Sequence, residues 1–160
     1  RVMALRTVRV QGDSVLEKKC KEVKEITPRI RELIEDMLDT MYEENGVGLA
    51  APQVGVLKRI VVIDIGDGPV VMINPEILET SGSQTGYEGC LSLPGKTGVV
   101  TRPNYVKVRA LDEAMQEYIL EGEELMARAV CHECDHLDGV MYTVHVEGEL
   151  YNNDELPEEE

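Results

Sequence analysis

Two histidines and a glutamate late in the chain have the residue types and the spacing of a metal site. His132, Glu133 and His136 form the pattern H-E-x-x-H and include two of the three histidines in the chain. In an α-helix, residues four apart lie on nearly the same face, so both imidazoles can reach one ion while Glu133 flanks them. The alternative is an exposed helical turn that binds no metal. Two imidazoles leave a coordination sphere incomplete, so a third ligand must come from elsewhere.

Cys90 is the candidate third ligand. It lies in the segment Glu88-Gly89-Cys90-Leu91-Ser92, between strand-like stretches in a region rich in Gly and Pro. A thiolate binds iron or zinc strongly, and the bound cation keeps it deprotonated. A Cys-His-His set leaves the fourth position open, as in a catalytic rather than a structural site. Alternatively, a lone cysteine is often a small buried hydrophobic residue.

Cys131 and Cys134 form a C-x-x-C pattern in the same stretch, which offers a rival set of ligands. On a helix they lie about 100° and about 160° away from His132, so they point away from an ion held by the histidines. We therefore interpret both thiols as packing residues.

Length and composition predict one domain, since 160 residues can bury a sizeable core. The chain has no Trp and no Phe, so aliphatic residues and Met must fill that core. With 16 basic and 31 acidic residues the formal charge is −15, which argues against nucleic acids and anionic membranes as partners. Four cysteines without an apolar targeting or membrane-spanning segment suggest a cytosolic protein with free thiols.

Apolar periodicity and turn residues predict the elements that position these side chains. A helix begins at Thr27-Pro28 and ends near Glu43, with apolar residues at three- to four-residue spacing. A second long helix over residues 123–137 carries the H-E-x-x-H pattern. Two hairpins are predicted, at residues 59–65 with 70–73 and at residues 105–110 with 116–120. Pro75 should end a strand, and residues 76–80 should form another short one.

These elements predict an α+β fold, with mostly antiparallel β-sheets around a central metal-binding helix and an N-terminal helix packed outside. We expect a single catalytic domain over residues 1–146. Residues 147–160 hold seven acidic and no basic residues. That composition predicts a solvated, frayed tail.

Three stretches together resemble the signature motifs of the peptide deformylase family. They are GVGLAAPQ at residues 46–53, EGCLS at residues 88–92 and HECDHLDG at residues 132–139. The motifs occur in the family's order, and the resemblance covers nearly the whole chain. The EGCLS form in a short chain is similar to the main bacterial type. One departure is Cys131, where the family usually has Gln before the first metal-binding histidine.

The resemblance implies a metal-dependent hydrolase that removes the N-terminal formyl group from formyl-methionyl nascent polypeptides and releases formate. Cys90, His132 and His136 would bind one divalent ion, natively Fe²⁺, although such a site also accepts Zn²⁺, Ni²⁺ or Co²⁺. Metal-bound water would attack the formyl carbonyl, with Glu133 as general base and then general acid.

The resemblance also implies which groups contact the substrate. The side-chain amide of Gln53 and the backbone N–H of Leu91 would donate hydrogen bonds to the developing oxyanion. The methionine side chain would lie in an apolar pocket formed by Val47, Leu125, Ala129 and the ring of His132. Gly48 and Gly89 would offer backbone groups to an extended peptide.

Further polar residues are predicted to support the site. We expect Glu88 to pair with Arg102 and hold the ligand loop in position. His145 lies past the motifs and is expected at the surface. Asp135 and Asp138 are expected to cap or bridge at the helix end, with the alternative that Asp135 orients a ligand imidazole.

As partners, the resemblance implies formylmethionyl nascent chains in the bacterial cytoplasm and leaves room for a transient contact with the ribosome. It implies no nucleic-acid motif and no membrane. Two alternatives remain. An H-E-x-x-H metallopeptidase would cleave internal peptide bonds, usually with a third His or Glu ligand. A non-catalytic Cys/His metal protein would have four protein ligands and no use for Gln53 or Glu133.

Overall fold

The computed structural model describes residues 4–156, with two α-helices and eight β-strands in that range. The helices are α1, Pro28–Glu43, and α2, Leu125–Leu137. The strands are β1 Gly48–Ala50, β2 Ile60–Ile63, β3 Val70–Ser81, β4 Gln84–Cys90, β5 Leu93–Arg102, β6 Tyr105–Leu111, β7 Glu117–Glu123 and β8 Val146–Asn152. Within the described range, no helix is long and apolar enough to cross a membrane.

The strands form two antiparallel sheets. One has five strands in the order β1-β2-β3-β6-β7, and the other has three in the order β4-β5-β8. Both predicted hairpins are present, as the pairs β2 with β3 and β6 with β7. The predicted α+β class with mostly antiparallel sheets is therefore confirmed.

The two helices pack on opposite faces of the five-stranded sheet, so β2 is buried on both sides. Val61 and Ile63 belong to the apolar cluster that contains the inner face of α2. Ile60 and Val62 belong to the cluster that contains the apolar stripe of α1. Successive side chains on a strand point to opposite faces, which explains this division. The metal-motif helix is thus fixed against the sheet from one side, with α1 outside on the other.

Helix α1 begins where its sequence signals predict. The hydroxyl oxygen of Thr27 accepts a hydrogen bond from the backbone N–H of Ile30 at 3.2 Å, and Pro28 is the first helical residue. The helix ends at Glu43, and Asn45 follows with a φ of 56°. A left-handed residue of this kind is a common helix terminator.

The prediction that Pro75 ends a strand is wrong. Strand β3 continues through it, and the pairing with β6 shifts register between Ile73 and Glu76. The irregularity accommodates a residue without an N–H, as expected for a β-bulge. Asn74, at a φ of 51°, donates to the carbonyl of Val23 and accepts from its N–H, both at 2.8 Å. The bulge therefore also holds the segment before α1, which we call the N-terminal arm, against the sheet.

The expectation of a frayed tail from residue 147 is also wrong as far as residue 152. Residues 146–152 form β8, which pairs with β5 in the three-stranded sheet. The side chains of Val146 and Leu150 lie against Gly98, where a Cβ would come within 2.7 Å of Val146. Backbone pairing and this contact order a segment that its charge alone predicts to be solvated. Residues 157–160 lie outside the described range.

Candidate active site

The three predicted metal ligands meet in space. The potential ligand atoms of Cys90, His132 and His136 all lie within 4.8 Å of one another. The two histidine rings, one turn apart on α2, have centroids 5.1 Å apart. The sulfur of Cys90, at the end of β4, lies 3.3 Å from Nε2 of His136. A thiolate with two imidazoles suits iron, zinc, nickel or cobalt, so these residues fit a single divalent ion.

The environment of His136 keeps its ring in the state that a metal ligand requires. Burial lowers the pKa of His136 to about 3, and the positive charge of Arg102 acts in the same direction. The ring is therefore neutral at physiological pH, and only a neutral imidazole can donate a lone pair to a metal.

Glu88 is the centre of a buried ion-pair cluster that reaches His132. Its carboxylate accepts from Arg102 through Nε at 3.1 Å and Nη2 at 2.7 Å, and from Nη1 of Arg128 at 2.8 Å. It also lies 2.7 Å from Nδ1 of His132. Although burial opposes ionisation, His132 and Arg102 hold the pKa of Glu88 well below its usual range. The carboxylate stays charged and fixes the ring of His132 so that Nε2 is left for the ion.

The polar network continues to the surface through Asp135. Its Oδ2 accepts from Nη1 of Arg102 at 2.7 Å and lies 3.2 Å from Nε2 of His145. Asp135 therefore bridges between elements, and its side-chain hydrogen bonds within the described part of the chain go to Arg102 and His145 rather than to a ligand imidazole. His145 is at the surface, with 43% of its side chain exposed. Asp138 pairs with Arg59 at 3.0 Å.

Gln53 is buried, and hydrogen bonds hold its amide group at both the oxygen and the nitrogen. Its Oε1 accepts from the backbone N–H of Ala50 at 2.9 Å, which turns Nε2 the other way. Nε2 donates to Oγ of Ser92 at 3.1 Å and lies 3.5 Å from the sulfur of Cys90. The short 3₁₀ turn Ala51–Val54 thus presents an N–H donor beside a candidate ligand.

Glu133 has an acceptor oxygen ready for an incoming proton donor. The residue is 4% exposed, and its Oε1 has no hydrogen-bond partner among residues 4–156. Burial raises the pKa of Glu133 to about 7, while the positive charge of Arg102 partly opposes this. A carboxyl group with a pKa near neutrality can both accept and return a proton. On its other side the carboxylate lies against Gly48, where a Cβ would sit 2.6 Å from Oε2.

A cavity of about 530 Å³ opens beside these groups. It is lined by all of the predicted substrate-contact residues, Val47, Gly48, Gln53, Gly89, Leu91, Leu125, Ala129 and His132. The edge strand β1 of one sheet and the edge strand β4 of the other both reach it. Two strand edges, an apolar surface and a candidate metal site therefore border the same cavity.

Comparison with known proteins assigns the family. The family model described as polypeptide deformylase matches residues 5–150. The peptide deformylase of Agathobacter rectalis is 69% identical over 150 residues, which cover 94% of this chain and 95% of that protein. The chain belongs to the polypeptide deformylase family. The peptide deformylase of Lachnoclostridium phytofermentans is 60% identical and matches over 99% of both chains.

Solved deformylase structures have the same fold. The crystal structure of the Thermotoga maritima peptide deformylase superposes with a TM-score of 0.88 at 40% identity, covering 91% of this chain and 99% of that one. The Synechococcus elongatus peptide deformylase, solved in complex with actinonin, gives a TM-score of 0.86 at 43% identity. That match covers 88% of this chain and 78% of the other.

Three residues of the deformylase site were not predicted from the sequence. Arg128 lies one turn before His132 on α2 and binds Glu88, and only its position on the motif face could have indicated this. Tyr142 stacks on the ring of His132 with centroids 5.8 Å apart, and Ser92 accepts from Gln53. Ser92 ends the EGCLS motif, which could have indicated a role at the site, whereas Tyr142 carries no local signal for its contact.

The C-x-x-C cysteines of this deformylase chain do not join the candidate metal group. Cys131 and Cys134 pack in the apolar cluster beneath α2, together with Cys20. Burial raises the pKa of Cys131 to about 11 and that of Cys134 further. Both thiols therefore stay protonated, as expected for packing residues.

Proposed function

We propose that this deformylase removes the formyl group from formyl-methionyl nascent polypeptides and releases formate. The proposal rests on one observation: three kinds of functional side chain meet at one cavity. Cys90 and His132 of the Cys-His-His donor set line this cavity together with Glu133 and Gln53, and the ligand atom of His136 lies within 4.8 Å of those of Cys90 and His132. Amide hydrolysis needs a strong nucleophile, a proton carrier and donors for the oxyanion, and each has a candidate here.

Cys90, His132 and His136 would hold one divalent ion. We infer Fe²⁺ as the native metal, with Zn²⁺, Ni²⁺ and Co²⁺ as alternatives that the same donors accept. When bound, such an ion polarises a carbonyl and brings the pKa of water from 15.7 toward about 7. Glu88 would act by holding the ring of His132, which makes it and Arg102 positioning residues.

Glu133 would carry the proton. It would first accept one from the attacking water and then return it to the leaving amine, since its Oε1 has no competing protein donor among the described residues. Gln53 would donate to the developing oxyanion through Nε2, whose direction is already set by Ala50 and Ser92. The backbone N–H of Leu91, next to Cys90, would be the second donor. Preorganised donors of this kind need no rearrangement during the reaction.

The substrate would bind as an added strand. Val47, Leu125 and Ala129 supply an apolar surface for the methionine side chain. Gly48 lies on β1 and Gly89 on β4, the edge strands of the two sheets, where an extended peptide would add as a further strand. Backbone pairing is tolerant of sequence, which suits an enzyme that must accept many nascent chains.

Nothing in the site favours the alternative functions. The third ligand is a cysteine rather than the His or Glu of most H-E-x-x-H peptidases. A closed structural site would need a fourth protein ligand, and neither Cys131 nor Cys134 belongs to the group. We infer the bacterial cytoplasm as the compartment, since the relatives named above are bacterial and the substrate is a nascent chain. A transient contact with the ribosome is part of the same proposal.

Formate release from formyl-Met-Ala-Ser by metal-loaded protein tests the proposal, alongside Glu133→Gln. Preparation without oxygen keeps Fe²⁺ beside a thiolate reduced. We expect rapid release by the parent and a loss of about 10²–10⁴-fold in the variant with its metal content retained, because a proton carrier is removed. Glu149→Gln, on exposed β8, is the matched control. Absence of release by the parent, or full activity of Glu133→Gln, would contradict the proposal.

A further inference from the structure

The end of the described chain closes one side of the active-site cavity. Lys96 and Thr97, on β5, line it together with Asn153, which follows β8. Lys96 pairs with Asn152 in the sheet register. The family model matches only as far as residue 150, so Asn152 and Asn153 lie beyond the part of the chain that it describes.

Two side-chain hydrogen bonds fix this wall. The ammonium of Lys96 donates to Oδ1 of Asn152, and the hydroxyl of Thr97 donates to Oδ1 of Asn153 at 2.5 Å. Lysine side chains lose considerable rotamer entropy when they are held, so a tethered lysine is already ordered before a substrate arrives. We call the pair Asn152 and Asn153 the C-terminal clamp.

Lys96 is a charge without an ionic partner in an acidic protein. The chain carries 31 acidic and 16 basic residues. Of the basic residues that line the cavity, Arg128 is neutralised by Glu88, whereas Lys96 forms no ion pair with any carboxylate of residues 4–156. Its partner Asn152 is uncharged. The nearest acidic residue in this hydrogen-bond network is Glu155, which accepts from the amide nitrogen of Asn152 at 3.0 Å and forms no ion pair with Lys96 among the described residues.

The position of Lys96 matches the path of a peptide along β4. A Cβ built on Gly89 would lie 3.4 Å from the carbonyl oxygen of Lys96, so the two residues are adjacent across the hairpin. An extended peptide advances about 3.3 Å per residue, so the two residues after methionine stay near Gly89. Lys96 also lines the cavity in which such a peptide would lie.

We propose that Lys96, held by the C-terminal clamp, is a specificity-determining residue that favours substrates with an acidic side chain at the first or second residue after formyl-methionine. The inference rests on the proposed deformylase function. A carboxylate near Lys96 gains an attraction that is partly screened by water, so the preference is modest, about two- to fivefold in KM. The effect falls on KM rather than kcat because the charge lies away from the reacting carbonyl.

The test compares matched formyl-Met tetrapeptides that carry Glu, Gln or Lys at the second or third residue. The metal-loaded parent is measured beside Lys96→Met, Lys96→Glu and the control Lys19→Glu, which makes the same charge change on the exposed N-terminal arm. We expect the parent and Lys19→Glu to prefer Glu over Lys peptides, Lys96→Met to lose the preference and Lys96→Glu to reverse it. The parent's preference should also shrink at about 1 M salt, where the Debye length is about 3 Å.

The outcomes separate this inference from the proposed function. If the parent releases formate equally from Glu and Lys peptides, or if Lys96→Met keeps the preference, Lys96 does not select substrates. If the parent releases no formate from any peptide, including the Gln series, the deformylase function itself fails. If Lys96→Glu does not fold, the comparison of the parent with the nearly isosteric Lys96→Met still shows whether Lys96 selects substrates.

Discussion

The carboxylate of Glu88 is shared by side chains from two elements. Arg102, on β5, binds both of its oxygens, while Arg128 and His132, on α2, bind one each. All of these groups are buried, and an ion pair in such a place has little water to replace a lost partner. At the scale of single residues, the direction of the His132 ring therefore depends on a charge that lies outside the ligand set.

Glu88→Gln should weaken both the fold and the metal site. The amide keeps the shape but leaves Arg128 without its counter-charge and Arg102 with Asp135 alone, which costs about 3–5 kcal/mol. Metal affinity should fall about 10–100-fold because the ring of His132 is held less firmly. Urea unfolding and competitive metal titration measure the two effects.

Glu76→Gln is the matched control for that substitution. Glu76 pairs with Arg109 at 2.6 Å on an exposed face, with 61% and 41% of the two side chains accessible. Its loss should change stability by no more than about 1 kcal/mol and leave metal affinity unchanged. Equal metal affinity of Glu88→Gln and the parent would show that Glu88 does not position the ligand.

At the scale of elements, the site depends on how closely β1 approaches α2. Gly48 makes this approach possible, because a Cβ there would lie 2.6 Å from Oε2 and 3.0 Å from Cδ of Glu133. A strand with a larger residue could pack here only by displacing the carboxylate. The absence of a side chain at residue 48 thus places a strand edge and a candidate proton carrier in contact.

Gly48→Ala should reduce turnover more than it reduces stability. The new methyl group pushes the Glu133 carboxylate aside, and a displacement of about 1 Å can cost about 10²-fold in rate. Formate release and metal content together check this, since the ligands themselves are not touched. Gly86→Ala is the control, because its Cβ would meet nothing closer than 3.6 Å. A fully active Gly48→Ala enzyme would contradict the expected crowding.

At the scale of the whole molecule, the candidate ligands come from two separate sheets and their packed elements. Cys90 ends β4 of the three-stranded sheet, whereas His132 and His136 lie on α2, which packs on the five-stranded sheet. A bound ion would therefore link the two sheets through side chains that are 42 or more positions apart in the sequence. Metal binding and folding are coupled whenever the site forms only in the native state.

Removing the metal should lower the melting temperature. An ion at about 100 times its Kd stabilises the native state by about 2.7 kcal/mol, which is about 5–10 °C for a chain of this size. Calorimetry of the metal-loaded protein with and without a chelator measures the shift. The variant His136→Ala should melt at the same temperature in both conditions. An unchanged melting temperature of the chelated parent would argue that the ion does not link the sheets.

The sequence by itself determined the local parts of this protein. The four-residue spacing places His132 and His136 on one helix face, because helical geometry fixes the directions of side chains within a turn. The same geometry turns Cys131 and Cys134 away. Thr27 and Pro28 set the start of α1. Two β-branched apolar runs separated by turn residues predicted the first hairpin, and strand alternation predicted the second, since these signals depend on neighbours within a few residues.

Only the tertiary structure decided those contacts of the site that neither local pattern nor the family resemblance predicted. Arg128 and Tyr142 meet the cluster around His132 through packing, and β8 joins its sheet through pairing with β5, against the prediction from its charge. The bulge at Pro75 likewise depends on its partner strand. Such contacts follow from strand order and register, which the burial of the whole core selects, so no short stretch of sequence carries them.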